Sequence, residues 1–296
     1  MHVALSYFQA IIMGILQGVT ELFPISSLGH GVLVPAWFGW HNLVSGQSAA
    51  ESFFLAFLVG LHVGTAVGLL MYYRRTWMRL LGGLGRQISS GGVRSLVRLN
   101  VPATDPQYRV LALLAVGTVP VGIVGLAFEH KLRTLFAKPL AAAIFLTING
   151  LVMFLGEWLI RNQSKRRRSE DLATLPTTGA LAIGGAQILA LFAGISRAGV
   201  TMVAGLLRGL DHSEAAELSF LLATPVILLA GLYKIPDLMG HLGDGVRVQT
   251  LVGALCSMVA AWFAVKFLTR WFSTRTLTPF AVYSLLLGIA SIIRFA

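Results

Sequence analysis

Apolar stretches close to twenty residues long, parted by short polar or basic segments, recur through most of the chain. At a helical rise of about 1.5 Å per residue, such a stretch crosses a hydrocarbon core of about 30 Å. The pattern predicts six transmembrane helices, near 52–72, 110–128, 140–160, 215–234, 248–269 and 277–294. Between the first two lies a polar segment, 73–109, rich in Arg, Gly and Ser and read as a loop. A second loop, 161–178, carries Lys165-Arg166-Arg167-Arg168.

Two regions break this pattern. Residues 4–22 are apolar but end at Glu21. Pro24 then interrupts the helix, and a shorter glycine-containing arm runs from 27 to 40. The region 179–209 has the same plan. From Gly199 to Arg208 there are only ten residues, about 15 Å of helix and half of a crossing. In both, the polar residues sit at the bend, where non-helical backbone at membrane depth survives only against protein or a wet cavity. Two re-entrant hairpins are the expectation.

The order is hairpin plus three spans, twice. Three spans reverse the sense of the second unit, so the fold expected is all-α and polytopic: six transmembrane helices plus two re-entrant helical hairpins in an inverted-topology repeat. Residues 1–296 form one membrane domain, with repeat one at about 1–160 and repeat two at about 179–296.

Composition fits this picture. Hydrophobic residues make up 56% of the chain and charged residues 12%, against about 25% charged in an ordinary soluble domain. The net charge of +11 suits anionic lipid, and no nucleic acid is expected as a partner. Of the Lys and Arg, 16 fall on the side of the 73–109 and 161–178 loops and 6 on the other. The positive-inside rule therefore places those loops in the cytoplasm and both termini outside. The single cysteine, Cys256, allows no intrachain disulfide. The N-terminus lacks a basic n-region and a small-residue cleavage site, so the first apolar stretch is expected to stay in the mature protein.

The chemistry concentrates at the bends. The first reads Gln17-Gly-Val-Thr-Glu21-Leu-Phe-Pro24-Ile-Ser26-Ser27-Leu-Gly29-His30; the second runs from Gln187 to Ala193-Gly194-Ile195-Ser196-Arg197-Ala198-Gly199-Val-Thr201. In each, Gln stands nine residues before the Ser of an Ile-Ser pair, and Gly follows that Ser by three. Glu21 and Arg197 are charges at membrane depth, which cost about 2.5 kcal/mol or more unless they serve a partner or substrate. One reading is a structural ion pair between them; the other is a site. Pro24 suits a first helical turn, and Ser26, Ser27 and Ser196 suit N-caps. The helix starts they mark are ready-made phosphate cradles. Glu21, closing the preceding arm, favours a cation. Arg197 presents a fork that matches phosphate oxygens. Ser27 and His30, three apart, share a helix face and pair a hydroxyl with an imidazole. Thr201 is placed either to bind phosphate or to bond back to its own helix. His62, mid-span between Gly60 and Gly64, reads as a helix-packing residue before it reads as part of the site.

At these residues the sequence resembles the bacitracin-resistance family of undecaprenyl-diphosphate phosphatases. Gln17-x-x-x-Glu21, Pro24-Ile-Ser26-Ser27-Leu-Gly29-His30 and Gly194-Ile-Ser196-Arg197-Ala-Gly199-Val-Thr201 are similar to its motifs, as are Leu61-His62-x-Gly64-Thr65 and Ser219-Phe-Leu-Leu-Ala-Thr-Pro225. The resemblance implies a hydrolase of the bacterial cytoplasmic membrane that removes the terminal phosphate of a polyprenyl diphosphate, recycling the lipid carrier of peptidoglycan synthesis and conferring bacitracin resistance. By position it implies that Glu21, with Gln17 as a weaker ligand, binds Mg²⁺ or Ca²⁺. Ser27 would be the nucleophile, His30 an acid–base group and Arg197 the diphosphate clamp, with Ser26, Ser196, Gly199 and Thr201 supporting the phosphate. Which of Ser27 and His30 attacks is left open. Four positions depart from the family pattern: Gln17 for Glu, Leu28 for a small hydroxyl residue, Ala193 for Pro and Ala198 for Ser.

Two further readings stand beside the phosphatase. One is a transporter or flippase of an anionic lipid, which broken helices in inverted repeats also suit. The other is a catalytically weakened paralogue, prompted by Leu28 and Ala198. The sequence leaves the oligomeric state open, a homo-oligomer included.

Overall fold

A computed structural model describes residues 5–40, 42–43, 53–91, 105–136, 138–162, 172–240 and 245–296. Among these the fold is all-helical. The α-helices are α1 (Tyr7–Thr20), α2 (Ser27–Trp37), α3 (Phe53–Tyr72), α4 (Arg74–Gly91), α5 (Pro106–Phe136), α6 (Pro139–Asn162), α7 (Thr177–Ala186), α8 (Arg197–Leu207), α9 (His212–Met239), α10 (Arg247–Trp271) and α11 (Thr278–Phe295). Short 3-10 turns fall at Leu172–Thr174 and at Gln187–Leu191, the latter continuing α7.

Among the described residues, five helices are long and apolar enough to cross a membrane: α5 over Pro106–Phe128, α6, α9 over His212–Tyr233, α10 and α11. Each falls on a predicted span. The remaining one, 52–72, is α3, which passes the same test together with α4 as a pair bent by 78°. The three arms Tyr7–Thr20, Thr177–Leu191 and Arg197–Leu207 are apolar but shorter, as the pattern predicts for broken helices.

The segment 73–109 differs from expectation. It is a loop only in part, because α4 occupies Arg74–Gly91. Trp77, Leu80 and Leu84 recur at helical spacing, and the buried edge of Leu80, Gly83 and Gln87 faces the protein while Arg74, Arg75, Arg79 and Arg86 stay exposed. Arg-rich composition hid an amphipathic stripe. Asp105 precedes α5 and accepts from the N–H groups of Gln107 and Tyr108, while Arg86 Nε donates to its other oxygen at 2.7 Å. Those donors, Arg86 first, hold its carboxyl below its ordinary range. Lys165–Arg168 lie outside the described residues.

Tight crossings fix the frame. Helix α10 packs against both α1 and α3, and a Cβ on Gly14 or Gly64 would come within 2.2 Å of the carbonyl oxygen of Gly253 or Ala254. Only glycine permits that approach. Thr65 of α3 and Ser257 of α10 share a buried hydrogen bond of 2.8 Å there. On the opposite side of the sequence, α6 packs along α11. Another pin joins α6, α9 and the start of α11: Glu157 Oε1 lies 2.9 Å from His212 Nε2 and accepts the Leu277 N–H at 2.7 Å.

Candidate active site

The two breaks, between α1 and α2 and between the 3-10 turn and α8, meet face to face. A Cβ on Gly29 would lie 3.0 Å from Gly194 Cα. Ser26 caps α2 by accepting the Gly29 N–H at 3.1 Å, and the same Oγ accepts the Gly194 N–H from the other break at 3.1 Å. Ser26 holds φ 69°, a left-handed value costly for a residue other than glycine. Gly194, at φ 111°, makes the matching turn. Ser196 caps α8 through the Gly199 N–H at 3.1 Å. So Ser26 and Ser196 are caps, while Ser27 is the first residue of α2 and Pro24 sits in the bend itself rather than in a helical turn.

Asn149 of α6, fully buried, binds both breaks. Its amide nitrogen donates to the Pro24 carbonyl at 3.0 Å, and its oxygen accepts the Ser196 N–H at 2.9 Å. Nothing along the chain marks this residue, since a lone Asn inside an apolar run belongs to no motif.

Around this junction the two charges come together. Arg197 donates to Glu21 Oε1 at 2.8 Å, with both side chains largely buried. Glu21 Oε2 accepts from the Gln17 amide at 3.1 Å and from the Ser27 hydroxyl. His62 of α3 brings Nε2 to 3.3 Å from that same oxygen. His62 is therefore a member of the site and not only a packing residue. What obscured it was distance along the chain, since nothing in the sequence says which face of α3 meets α1.

His30 is not brought to Ser27. Its Nδ1 lies 2.8 Å from the Ser26 carbonyl and its Nε2 2.8 Å from the Tyr283 hydroxyl, with the two rings stacked. A carbonyl only accepts, so Nδ1 carries the hydrogen and Tyr283 donates to Nε2. Glu21 holds the place beside the Ser27 hydroxyl that helical spacing assigned to His30. Thr201 bonds back to the Arg197 carbonyl at 2.6 Å, the second of its two expected roles.

Glu21, Ser27, His62, Gln187, Ser196 and Arg197 line a cavity of about 210 Å³. The other walls are mostly apolar, with Leu58, Val121 and Val226 among them. Helices α2 and α8 begin at Ser27 and Arg197, so their positive ends meet at this cavity beside the guanidinium. Gln187 is fully buried; among the described residues its amide oxygen has no hydrogen-bond partner, while its nitrogen donates to the Gly117 carbonyl at 3.0 Å. Such a cavity takes an anionic head and an apolar tail, and its hydroxyl is already bonded to a carboxylate able to receive its proton.

Residues 10–290 match the family described as bacitracin resistance protein BacA. The chain is 47% identical to the undecaprenyl-diphosphatase of Mycolicibacterium paratuberculosis (strain ATCC BAA-968 / K-10), over 99% of this chain and 98% of that protein. It is 47% identical to the undecaprenyl-diphosphatase of Mycobacterium avium (strain 104), over 100% and 99%. Undecaprenyl-diphosphatase 2 of Frankia alni is 45% identical, over 99% and 98%.

Proposed function

Because this chain belongs to the bacitracin resistance protein family, we propose that it is an undecaprenyl-diphosphatase, hydrolysing undecaprenyl diphosphate to undecaprenyl phosphate and inorganic phosphate. The observation that carries the reading is the junction of Glu21, Ser27 and Arg197 where two broken helices touch. A carrier has no need of a hydroxyl bonded to a buried carboxylate.

In this scheme Arg197 and the first-turn N–H groups of α2 and α8 hold the diphosphate. Ser27 Oγ attacks the terminal phosphorus and passes its proton to Glu21. The bond from that phosphorus to the bridging oxygen breaks, and undecaprenyl phosphate leaves. Water then cleaves the phosphoserine, releasing inorganic phosphate and returning the proton to Ser27. Ser196 and Gly199 keep the start of α8 in shape, and Thr201 supports it from one turn on. For His30 the geometry supports a positioning role, pinning Ser26 between α2 and α11.

The donor set also fits a hard divalent cation, Mg²⁺ or Ca²⁺: one buried carboxylate, Glu21, has the Gln17 amide within 3.1 Å, and such ions complete their shells with substrate phosphates and water. Among the described residues no three of His, Cys, Asp and Glu gather at one point, so substrate oxygens would supply much of the shell. Bound there, the cation would neutralise charge developing on the phosphate.

The architecture this reading uses is the inverted repeat of six spans and two re-entrant hairpins. Its supports are the short arms, the paired breaks and the charge distribution. Family membership supports a bacterial inner-membrane location, and the charge distribution supports both termini external and a first break opening outward. The decisive experiment is phosphate release from a polyprenyl diphosphate in detergent, with and without chelator. Release that depends on a divalent cation and collapses in Ser27→Ala, Glu21→Ala and Arg197→Ala is expected. Wild-type turnover in Ser27→Ala would sink the nucleophile, and turnover untouched by chelator would remove the cation.

A further inference from the structure

Helix α4 carries a surface that the phosphatase scheme does not use. It leaves α3 at a bend of 78°. Helix α3 has 20 residues, about 30 Å of rise and enough for a crossing by itself, so the bend turns α4 nearly along the membrane surface. Tyr72 and Tyr73 stand at the bend, and such aromatic residues gather where bilayer meets water. Three stripes then run along α4. Leu80, Gly83 and Gln87 are buried against the protein, where a Cβ on Gly83 would come within 2.7 Å of the Tyr108 nitrogen of α5. Met78, Leu81 and Ile88 are apolar yet 63%, 55% and 42% exposed. Half-buried Trp77 and Leu84 lie between these two stripes and join them into one apolar arc. Arg75, Arg79 and Arg86 recur at intervals of four and seven residues, which at about 100° per residue sets them opposite Trp77 and Leu84.

We propose that α4 lies in the bilayer interface, with Met78, Leu81 and Ile88 among the acyl chains and Arg75 and Arg79 together holding the phosphate of an anionic phospholipid. A helix with an apolar arc on one side and arginines on the other is the form of segment that rests at that boundary. Charge selects the lipid. Helix α4 contains four arginines and no acidic residue. Arg86 is taken up by Asp105 at 2.7 Å, and Arg74, at the bend, donates to the Met71 carbonyl at 3.1 Å. Arg75 and Arg79 stand exposed one turn apart. Arg79 donates to the Thr76 hydroxyl at 3.3 Å through one nitrogen, which leaves most of its five donors for a ligand. Two guanidinium forks side by side match phosphate oxygens, and their long stems let the heads reach the lipid phosphates while the backbone sits lower. The inference rests on α3 as a membrane span and is independent of any hydrolysis at the cavity.

The test has two arms, both on the full-length protein. In vesicles of phosphatidylcholine and phosphatidylglycerol, spin labels are placed by Ile88→Cys and Gly82→Cys, each with Cys256→Ser. Their depth is read from relaxation by oxygen and by a water-soluble nickel complex. Ile88 lies on the apolar arc; Gly82 falls on the arginine stripe, and a Cβ there meets only Arg86 Nη1, at 3.6 Å. The label at 88 should answer to oxygen and the label at 82 to nickel. Both labels open to nickel would put α4 in water, and both closed to either reagent would mean that protein, a second copy included, covers the face; either result overturns the proposal. In the second arm, native mass spectrometry follows lipid retention by the unmodified chain. Phosphatidylglycerol should stay bound in preference to phosphatidylcholine, and the preference should fall about fivefold for each of Arg75→Gln and Arg79→Gln, with thermal unfolding showing that the variants remain folded. Equal retention of the two lipids by the unmodified chain, or a preference that survives both substitutions, would overturn the arginine assignment.

Discussion

Asn149 offers the sharpest test of how the site is held, because its amide reaches from α6 to bond both breaks. Truncation in Asn149→Ala leaves the Pro24 carbonyl and the Ser196 N–H without their partners, which stand at 3.0 and 2.9 Å. Each unsatisfied buried group costs about 1–3 kcal/mol, so the folded state should lose about 2–6 kcal/mol. The rate should suffer separately. With the bends untied, Glu21 and Arg197 no longer meet in fixed register, and a misplacement near 1 Å costs about 10²-fold. Phosphate release measured well below the melting transition separates the two effects. Asn149→Asp keeps the acceptor for Ser196 and loses the donor to Pro24, so it should fall between wild type and Asn149→Ala in both stability and turnover. Wild-type turnover and melting in Asn149→Ala would refute the bridging role, whatever the other residues do.

Three further outcomes follow from the same geometry. Arg197→Lys should lose about 10²–10³ in kcat, as for removal of one preorganised donor, because a point charge cannot reach Glu21 and a phosphate as a fork does; near-normal kinetics would overturn the clamp. Gly14→Ala should lower stability by about 1–3 kcal/mol through overpacking against Gly253, with kcat unchanged in the fraction that stays folded, and unaltered thermal unfolding would count against the crossing of α1 and α10. Ala198→Ser, which restores a hydroxyl in the buried first turn of α8, should raise turnover if the family's second Ser assists phosphate binding, and a steady-state comparison with wild type decides it.

Much of this was legible in the chain because membrane spans are written in composition. The six long apolar runs each became a helix, and the two breaks fell where Glu21, Pro24 and Gly194 interrupt apolar arms. The meeting of Glu21 and Arg197 was legible for the same reason, since charges at such depth seek one another. The helix Arg74–Gly91 was missed because its apolar stripe is diluted by four exposed arginines, and a sliding hydropathy sum averages over faces that a helix separates. Pairings among helices lay beyond the sequence. Spacing put His30 beside Ser27, but Tyr283, more than 250 residues on, turns it away. His62 and Asn149 joined the site through tertiary packing alone.

The contact between Gly29 and Gly194, sealed by the Ser26 hydroxyl, has a mechanical consequence. In a pump built from two opposed halves, the middle is a bearing on which one half swings. Here that bearing is welded. Any swing large enough to open the centre first to one face and then to the other would tear apart the Ser26 and Asn149 bonds and the acid–guanidinium pair. A rocking cycle would have to break these bonds together, so the expectation is that a lipid reaches this junction by moving its own head and tail.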